Sequence, residues 1–237
     1  MLFETNHGVI VACDVDTLDA FETLVMETCH VDGVVGYKTG ATLGLAYGLQ
    51  PLTDTVAEHC DLPVIYDHQK AATDIPQMGE PFARVCSQGG VDSVILFPQA
   101  GPETEKAFIQ AVIQHGMEPM VGGEMTHPGY LASEQGYLRS DAPPEMYRLA
   151  AEHDVTFFIV PGNRPAALRR YHELLTGLMD QPAFCMPGIG RQGGSISKAF
   201  EQLGDAAKYA IVGSAIYKSD DPASAARRLA GEALAFE

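Results

Sequence analysis

Short apolar runs alternate along the chain with longer segments whose apolar residues recur at helical spacing. The runs cover residues 8–14, 33–37, 63–67, 92–97, 117–121, 155–160, 183–186 and 209–212. The helical segments cover residues 17–29, 42–59, 78–88, 102–116, 143–153, 164–178, 195–203 and 222–235. Runs that are apolar throughout are typical of a parallel sheet covered on both faces. Eight strand–helix units without a linker predict an α/β fold, a (β/α)8 TIM barrel in which residues 1–237 form one domain.

Composition and charge narrow the class of protein. With 31 acidic and 15 basic residues, the chain carries a formal charge of −16, which disfavours nucleic acid and anionic membranes as partners. No run reaches the roughly 18 apolar residues of a membrane helix, and the first residues lack the pattern of a signal peptide. The five cysteines form no CxxC pair, so we expect neither a disulfide framework nor a zinc site. A cytoplasmic protein is the expectation.

The carboxyl end of the third predicted strand concentrates charge. Asp67 ends the apolar run, and Lys70 and Asp74 follow without the apolar spacing of a helix. Because the loops after the strands carry the chemistry in parallel α/β barrels, this stretch is a candidate site. The alternative is a solvated loop in which Asp67 and Lys70 form a weak surface pair.

Other strand ends add polar residues that a barrel would bring to the same face. Asp14 follows the first strand and Lys38 the second, and the sequence Glu-Met-Thr-His-Pro-Gly follows the fifth at residues 124–129. A long loop over 124–141 is a candidate lid. A hard cation such as Mg²⁺ would need a second carboxylate beside Asp67, but the neighbouring strand supplies Lys38 there. We therefore expect no metal.

The loop after the seventh strand predicts a phosphate site. Residues 187–194 read Pro-Gly-Ile-Gly-Arg-Gln-Gly-Gly and precede a helix. Barrels commonly bind phosphate at the seventh and eighth strand ends, where glycines expose backbone N–H groups and a helix presents its positive end. The alternative is a loop that is rich in glycine only because it turns.

Taken together, these stretches resemble orotidine 5'-monophosphate decarboxylase, and the likeness runs through the chain. It is carried by Val-Ala-Cys-Asp at residues 11–14, Lys38, Lys70 with Asp-Ile-Pro at 74–76, and the loops at 124–129 and 187–194. Ile-Val-Gly at 211–213 and Ala-Ile-Tyr at 215–217 complete it. The resemblance implies a cofactor-free lyase that converts orotidine 5'-monophosphate to uridine 5'-monophosphate in pyrimidine synthesis.

The resemblance also implies roles for the charged residues. Lys70 would protonate the carbon that loses its carboxylate, and Asp67 would lie beside that carboxylate. Lys38 would hold the network and touch the ribose. Asp74 would enter the site from the partner subunit of a homodimer.

Binding roles follow from the same likeness. Asp14 would bind a ribose hydroxyl and Thr126 the pyrimidine amide, while Gln192 and nearby backbone amides would hold the phosphate. The remaining substrate-binding candidates lie in the phosphate loops: Pro187, Arg191, Gly193, Gly213 and Ser214.

The chain departs from the family pattern at three places. The family often has a threonine shortly after the Asp-Ile pair, donated across the dimer, and Gln-Met-Gly at residues 77–79 offers no counterpart. The family places lysine two residues after the first aspartate and the second aspartate three further on, whereas the intervals here are three and four. Residues three apart on extended backbone point to opposite sides, so a bulge must re-aim Lys70. Ser214 stands where the family usually has a phosphate-binding arginine, and Arg191 or Arg164 could replace it.

Two other functions stay open. A magnesium-dependent sugar-phosphate lyase of the same superfamily would share the barrel, although Lys38 in place of an acid speaks against it. A barrel that binds a nucleotide or phosphate without catalysis is the other alternative.

Overall fold

The computed structural model describes residues 2–68 and 71–236, in which eight parallel strands form a closed barrel. The strands follow one another around the barrel in chain order, and the last pairs with the first. Their bounds are β1 His7–Cys13, β2 Val34–Gly40, β3 Val64–Asp67, β4 Ser93–Leu96, β5 Glu118–Gly122, β6 Phe157–Ile159, β7 Ala183–Met186 and β8 Ala207–Val212. The predicted (β/α)8 barrel is confirmed.

Helices connect successive strands and cover the outside of the barrel. Their bounds are α1 Leu18–Thr28, α2 Ala41–Tyr47, α3 Gln50–Ala57, α4 Gly79–Gln88, α5 Pro102–Gln114, α6 Ala142–Glu152, α7 Pro165–Thr176, α8 Ile196–Phe200, α9 Ser214–Tyr217 and α10 Pro222–Leu234. Thr17 caps α1 by accepting a hydrogen bond from the Ala20 N–H, and Asp221 caps α10 in the same way. Within the described ranges, no helix has the length and apolar character needed to span a membrane.

The second strand–helix unit differs from its prediction. The single helix expected over residues 42–59 is wrong, because the chain forms α2 and α3 with a break between them. Gly48 has a φ of +80°, a left-handed conformation that ends α2, and Pro51 occupies the first turn of α3. Leu43 and Leu52 are both buried, although their separation of nine positions would place them on opposite faces of one continuous helix, so the break is what lets both side chains face the core.

Two apolar layers hold the barrel together, one inside it and one between the strands and the helices. At the amino-terminal end of the strands, Phe3 packs edge-on against Phe157 at 5.5 Å and lies 4.4 Å from the ring of Tyr209. The Tyr209 hydroxyl donates a hydrogen bond to the Thr5 carbonyl. These aromatic residues close the barrel interior at this end, whereas polar side chains gather at the opposite end.

Candidate active site

A cavity of about 270 Å³ opens at the carboxyl ends of the strands. Its polar lining comes from six strand ends and the loops that follow them, namely Asp14, Lys38, Asp67, Glu124, Thr126, Arg191, Gln192, Ser214 and Tyr217. Its apolar lining includes Ile95, Phe97, Ile159 and Ile211. Strand ends that are far apart in sequence therefore meet in one space, as a parallel barrel requires.

Lys38 lies between two carboxylates at the base of this cavity. Its Nζ is 2.9 Å from Asp67 Oδ2 and 3.5 Å from Asp14 Oδ1, and the side chains of Lys38 and Asp67 are almost fully buried. Burial alone would lower the pKa of Lys38, but Asp67 and Asp14 raise it, and the net direction is upward. The lysine is therefore a fixed cation at the cavity wall.

Asp14 and Asp67 both face the ammonium of Lys38. The register places these residues at the ends of adjacent strands, since Ala12 of β1 pairs with Lys38 of β2, which pairs with Ile65 of β3. The strand backbone therefore holds these charges in place, and a bound substrate would meet a preorganised field.

The structure brings together most of the residues predicted from the sequence, and some fall elsewhere. The cavity is lined by Asp14, Lys38, Asp67, Thr126, Pro187, Arg191, Gln192, Gly213 and Ser214. Gly193 and Asp74 are not among the lining residues. Lys70, the predicted proton donor, lies outside the described residues, so its placement stays a prediction.

Asp74 lies on the surface of its own chain. Its Oδ1 accepts a 2.7 Å hydrogen bond from the Ile75 N–H, and its backbone carbonyl accepts one of 2.8 Å from the Thr104 hydroxyl. Ile75 and Met78 beside it are 59% and 40% exposed. The loop that carries Asp74 thus presents a carboxylate together with uncovered apolar side chains.

The glycine-rich loop after β7 folds back on itself. The N–H groups of Gly190, Gly193 and Gly194 donate to carbonyls within the loop, and Gly188, Gly190 and Gly193 all have positive φ. Glycine is needed at these positions for the backbone conformation, which agrees with the alternative that the loop is rich in glycine because it turns. In the described part of the chain, the N–H groups of Arg191 and Gln192 have no backbone partner. Those two amides, and not the amides of Gly190, Gly193 and Gly194, are available to an anion.

A second charged cluster lies beside the cavity, around Glu124. This buried carboxylate is 3.2 Å from Arg164 Nη1 and 3.0 Å from Arg170 Nη2, and it accepts a short hydrogen bond from the Tyr171 hydroxyl. Arg164 also pairs with Glu134 and donates to the His127 carbonyl at 2.8 Å. Its hydrogen bonds hold the pKa of Glu134 below the ordinary range. Arg164 therefore fastens the long loop over 124–141, and its guanidinium is occupied.

Sequence reasoning missed several residues of the cavity wall. Tyr217, on the single turn of α9, lines the cavity, and burial followed by the charge of Asp14 raises its pKa. A helix of four residues shows no periodicity, so only its position after the eighth strand could have indicated it. Ile95 and Phe97 were read as strand residues, and a parallel strand that is apolar on both faces does not reveal which side chains point inward.

The described residues also contain one possible set of metal ligands. Atoms of Glu22, Glu58 and His59 lie within 4.8 Å of one another. None of the three lines the cavity. Partly exposed acidic groups of this kind are common without a metal, so we assign no metal to them.

Comparison with known proteins gives a consistent result. The family model described as "Orotidine 5'-phosphate decarboxylase / HUMPS family" matches residues 8–229. The chain is 31% identical over 229 residues to an orotidine 5'-phosphate decarboxylase of Methanosarcina barkeri, covering 97% of this chain and 96% of the relative. A relative of the same name from Thermococcus kodakarensis is 30% identical over 219 residues, which are 92% of this chain and 94% of the relative.

Solved structures show the same likeness. Orotidine 5'-monophosphate decarboxylase from Methanocaldococcus jannaschii, complexed with the inhibitor BMP, superposes with a TM-score of 0.82 at 26% identity, covering 95% of this chain and 98% of that one. Orotidine 5'-phosphate decarboxylase from Pyrococcus horikoshii gives a TM-score of 0.78 at 25% identity, covering 94% and 98% of the two chains.

Proposed function

This chain belongs to the orotidine 5'-phosphate decarboxylase / HUMPS family, and on that basis we propose that it converts orotidine 5'-monophosphate to uridine 5'-monophosphate and carbon dioxide. The observation that carries the proposal is the Asp14–Lys38–Asp67 group in the cavity of a chain whose relatives with this activity match it over almost its whole length. A sugar-phosphate lyase that used Mg²⁺ would need oxygen ligands where Lys38 places a cation.

The proposed reaction requires the protein to stabilise a carbanion. When the carboxylate leaves as carbon dioxide, its bonding electron pair remains on the pyrimidine carbon, which must then take a proton. A fixed ammonium aimed at that carbon stabilises the charge without reorganisation and can supply the proton. We assign this role to Lys70. Asp67 would lie beside the departing carboxylate, and its negative charge would favour the loss of that group, while Lys38 keeps Asp67 and Asp14 in position.

The rest of the cavity fits a nucleotide monophosphate. Asp14 and Lys38 would bind ribose hydroxyls, and Thr126 would bind the pyrimidine amide. For the phosphate, Arg191 offers a guanidinium and the amides of Arg191 and Gln192 are unused, with Ser214 nearby. Arg164 is excluded from this role because Glu124 and Glu134 occupy its guanidinium. Pro187, Gly193 and Gly213 would shape the loops that hold these groups.

A homodimer is part of the proposal, with one barrel domain per subunit working in the cytoplasm. Asp74 lies outside the cavity of its own chain, on a loop with exposed Ile75 and Met78. Burial of those side chains against a second copy would carry Asp74 into the partner's site. Mixing inactive Lys70→Ala and Asp74→Ala subunits tests this arrangement. A heterodimer would then contain one intact site, and activity should return to about a quarter of the parent level by random pairing. No recovery, despite subunit exchange, would refute a shared site.

The proposed reaction is tested by mixing the purified protein with orotidine 5'-monophosphate in the presence of a chelator and following the ultraviolet change. We expect turnover in the parent protein and a loss of at least about 10³-fold in Lys70→Ala. Lys106→Ala is the matched control, because Lys106 pairs with Glu103 on α5 and should leave activity unchanged. A folded parent protein without turnover would refute the proposal, and an activity on sugar phosphates restored by magnesium would favour the other branch of the family.

A further inference from the structure

Asn163 lies between the two loops to which the proposed function assigns pyrimidine and phosphate binding. Its Nδ2 donates a 3.2 Å hydrogen bond to the carbonyl of Thr126, in the loop after β5. The same nitrogen is 3.5 Å from the carbonyl of Gln192, in the loop after β7, at the long end of the hydrogen-bond range. One side-chain amide therefore reaches both loops.

The backbone around Asn163 is held firmly. Beyond the last residue of β6, the N–H of Val160 donates to the Cys185 carbonyl at 3.0 Å and that of Gly162 to the Pro187 carbonyl at 2.9 Å. A methyl group on Gly162 would lie 2.9 Å from that Pro187 oxygen, so only glycine allows this approach. The pairing with the β7 segment extends up to the residue before Asn163, which fixes where its side chain begins.

Asn163 is the polar connection between the loops. Within residues 2–68 and 71–236, no hydrogen bond joins the loop at 124–141 directly to the loop at 187–194. The two loops touch through Gly188, where an added methyl group would lie 2.9 Å from Thr126 Cγ2 and 3.1 Å from Asn163 Cγ. A movement of the loop at 187–194 would thus be transmitted to Thr126 through Asn163.

The oxygen of the Asn163 side-chain amide indicates that a contribution to stability alone does not explain why asparagine is at this position. The Oδ1 atom of Asn163 is buried and has no hydrogen-bond partner among the described residues. A buried acceptor without a donor destabilises a protein. The amide cannot rotate to relieve this, because both neighbours of Nδ2 are carbonyl oxygens, which need a donor. The residue fits a connecting role better than a purely structural one.

We infer that Asn163 is a positioning residue that couples phosphate binding at the Gln192 loop to pyrimidine recognition by Thr126. The inference rests on the proposed function. Binding energy from the phosphate would order the Gln192 loop, and Asn163 would pass that order to the Thr126 loop, so that a remote part of the substrate improves the alignment of the reacting part. Arg164, the next residue, fastens only the Thr126 loop, through the His127 carbonyl and Glu134.

The test compares orotidine 5'-monophosphate with orotidine, the same substrate without phosphate. In Asn163→Ala, kcat/KM for the phosphorylated substrate should fall about 30-fold, whereas kcat/KM for orotidine should change less than about 3-fold. Asn163→Asp should behave like Asn163→Ala, because it keeps the shape but replaces the donor with a group that carbonyls repel. Arg164→Ala is the neighbouring control and should lower both reactions by the same factor, since Arg164 does not contact the phosphate loop.

Binding of the products gives a readout that does not depend on turnover. Calorimetry should show that Asn163→Ala weakens the binding of uridine 5'-monophosphate more than the binding of uridine. Equal losses for both substrates and both products, with the melting temperature of the variant unchanged, would overturn the coupling role. A variant in which Asn163→Asp retains parent activity would overturn it as well, because shape alone would then suffice. Failure of the proposed function is distinct, since the parent protein itself would not turn over the nucleotide.

Discussion

Two buried carboxylates, Asp67 and Glu124, lie in the wall of one cavity and have opposite surroundings. Asp67 shares Lys38 with Asp14. Glu124 and Glu134 meet two arginines, and a tyrosine hydroxyl also donates to Glu124. Asp67 ends a strand, whereas Glu124 begins a loop. A carboxylate held against a lysine at the end of a rigid strand suits electrostatic catalysis, and one held between two arginines suits the anchoring of a loop.

The largest expected effect separates activity from stability. Asp67→Asn should lower kcat/KM about 10³-fold, because it removes the charge that would lie beside the departing carboxylate. It should change the free energy of unfolding by less than about 1 kcal/mol, because asparagine keeps the shape of the side chain and Lys38 keeps Asp14 as an anionic partner. Glu124→Gln should lower the free energy of unfolding by about 2–3 kcal/mol, because Arg164 and Arg170 lose their shared anion, and should lower kcat/KM only about 10-fold. Urea unfolding and the ultraviolet assay measure the two quantities. Equal losses of stability in both variants would remove the distinction.

Arg191 and Arg164 extend the same comparison to substrate binding. Arg191→Ala should raise KM about 10- to 100-fold with a small change in kcat, because it removes a phosphate contact that is made before the reaction. Arg164→Ala should instead lower the free energy of unfolding, because Arg164 fastens the 124–141 loop to Glu124 and Glu134. Inhibition by inorganic phosphate provides an independent measurement, and it should weaken in Arg191→Ala alone. Weaker phosphate inhibition in Arg164→Ala would show that Arg164 binds the anion after all.

A third buried carboxylate, Glu105 on α5, has no cationic partner in the part of the chain that the structure describes, and its replacement should have the smallest effect. Burial raises its pKa to about 8, so the folded protein holds a proton that the unfolded chain releases above its ordinary value of 4.5. Stability from this group is therefore fully present below about pH 4.5 and decreases as the pH rises towards 8. Glu105→Gln should leave the free energy of unfolding unchanged near pH 5 and raise it by about 1–2 kcal/mol at pH 8.

Chemical unfolding at the two pH values measures this effect. Glu103→Gln is the control, since Glu103 lies on the same helix but is exposed and pairs with Lys106. The same pH dependence in both variants would mean that the general loss of negative charge, and not the burial of Glu105, sets the result.

Much of this architecture was readable in the sequence because it depends on local pattern. Apolar runs and helical spacing predicted the eight units, since a parallel barrel buries both faces of every strand. The polar residues that end those strands predicted the cavity, because parallel strands end on one face. The break between α2 and α3 was missed because the φ of Gly48, a backbone angle that the pattern of residue types does not specify, ends α2.

Pairings between distant residues could not be read in this way. The sequence offered Arg191 as the obvious phosphate ligand and Arg164 as a second candidate. Only the folded chain shows that Glu124 and Glu134, 40 and 30 positions away from Arg164, occupy its guanidinium. The glycines of the 187–194 loop likewise looked like a source of amides, but the N–H groups of Gly190, Gly193 and Gly194 are used inside the loop.

The sequence by itself determined the barrel, the face on which its polar residues gather and the family resemblance, because each of these follows from residue types at fixed spacings. Only the tertiary structure decided the ion pairs of Asp67 and Glu124, the choice between the two arginines and the bridging position of Asn163. Those features depend on distances of about 3 Å between groups that lie on different strands and loops, and no spacing along the chain specifies such distances.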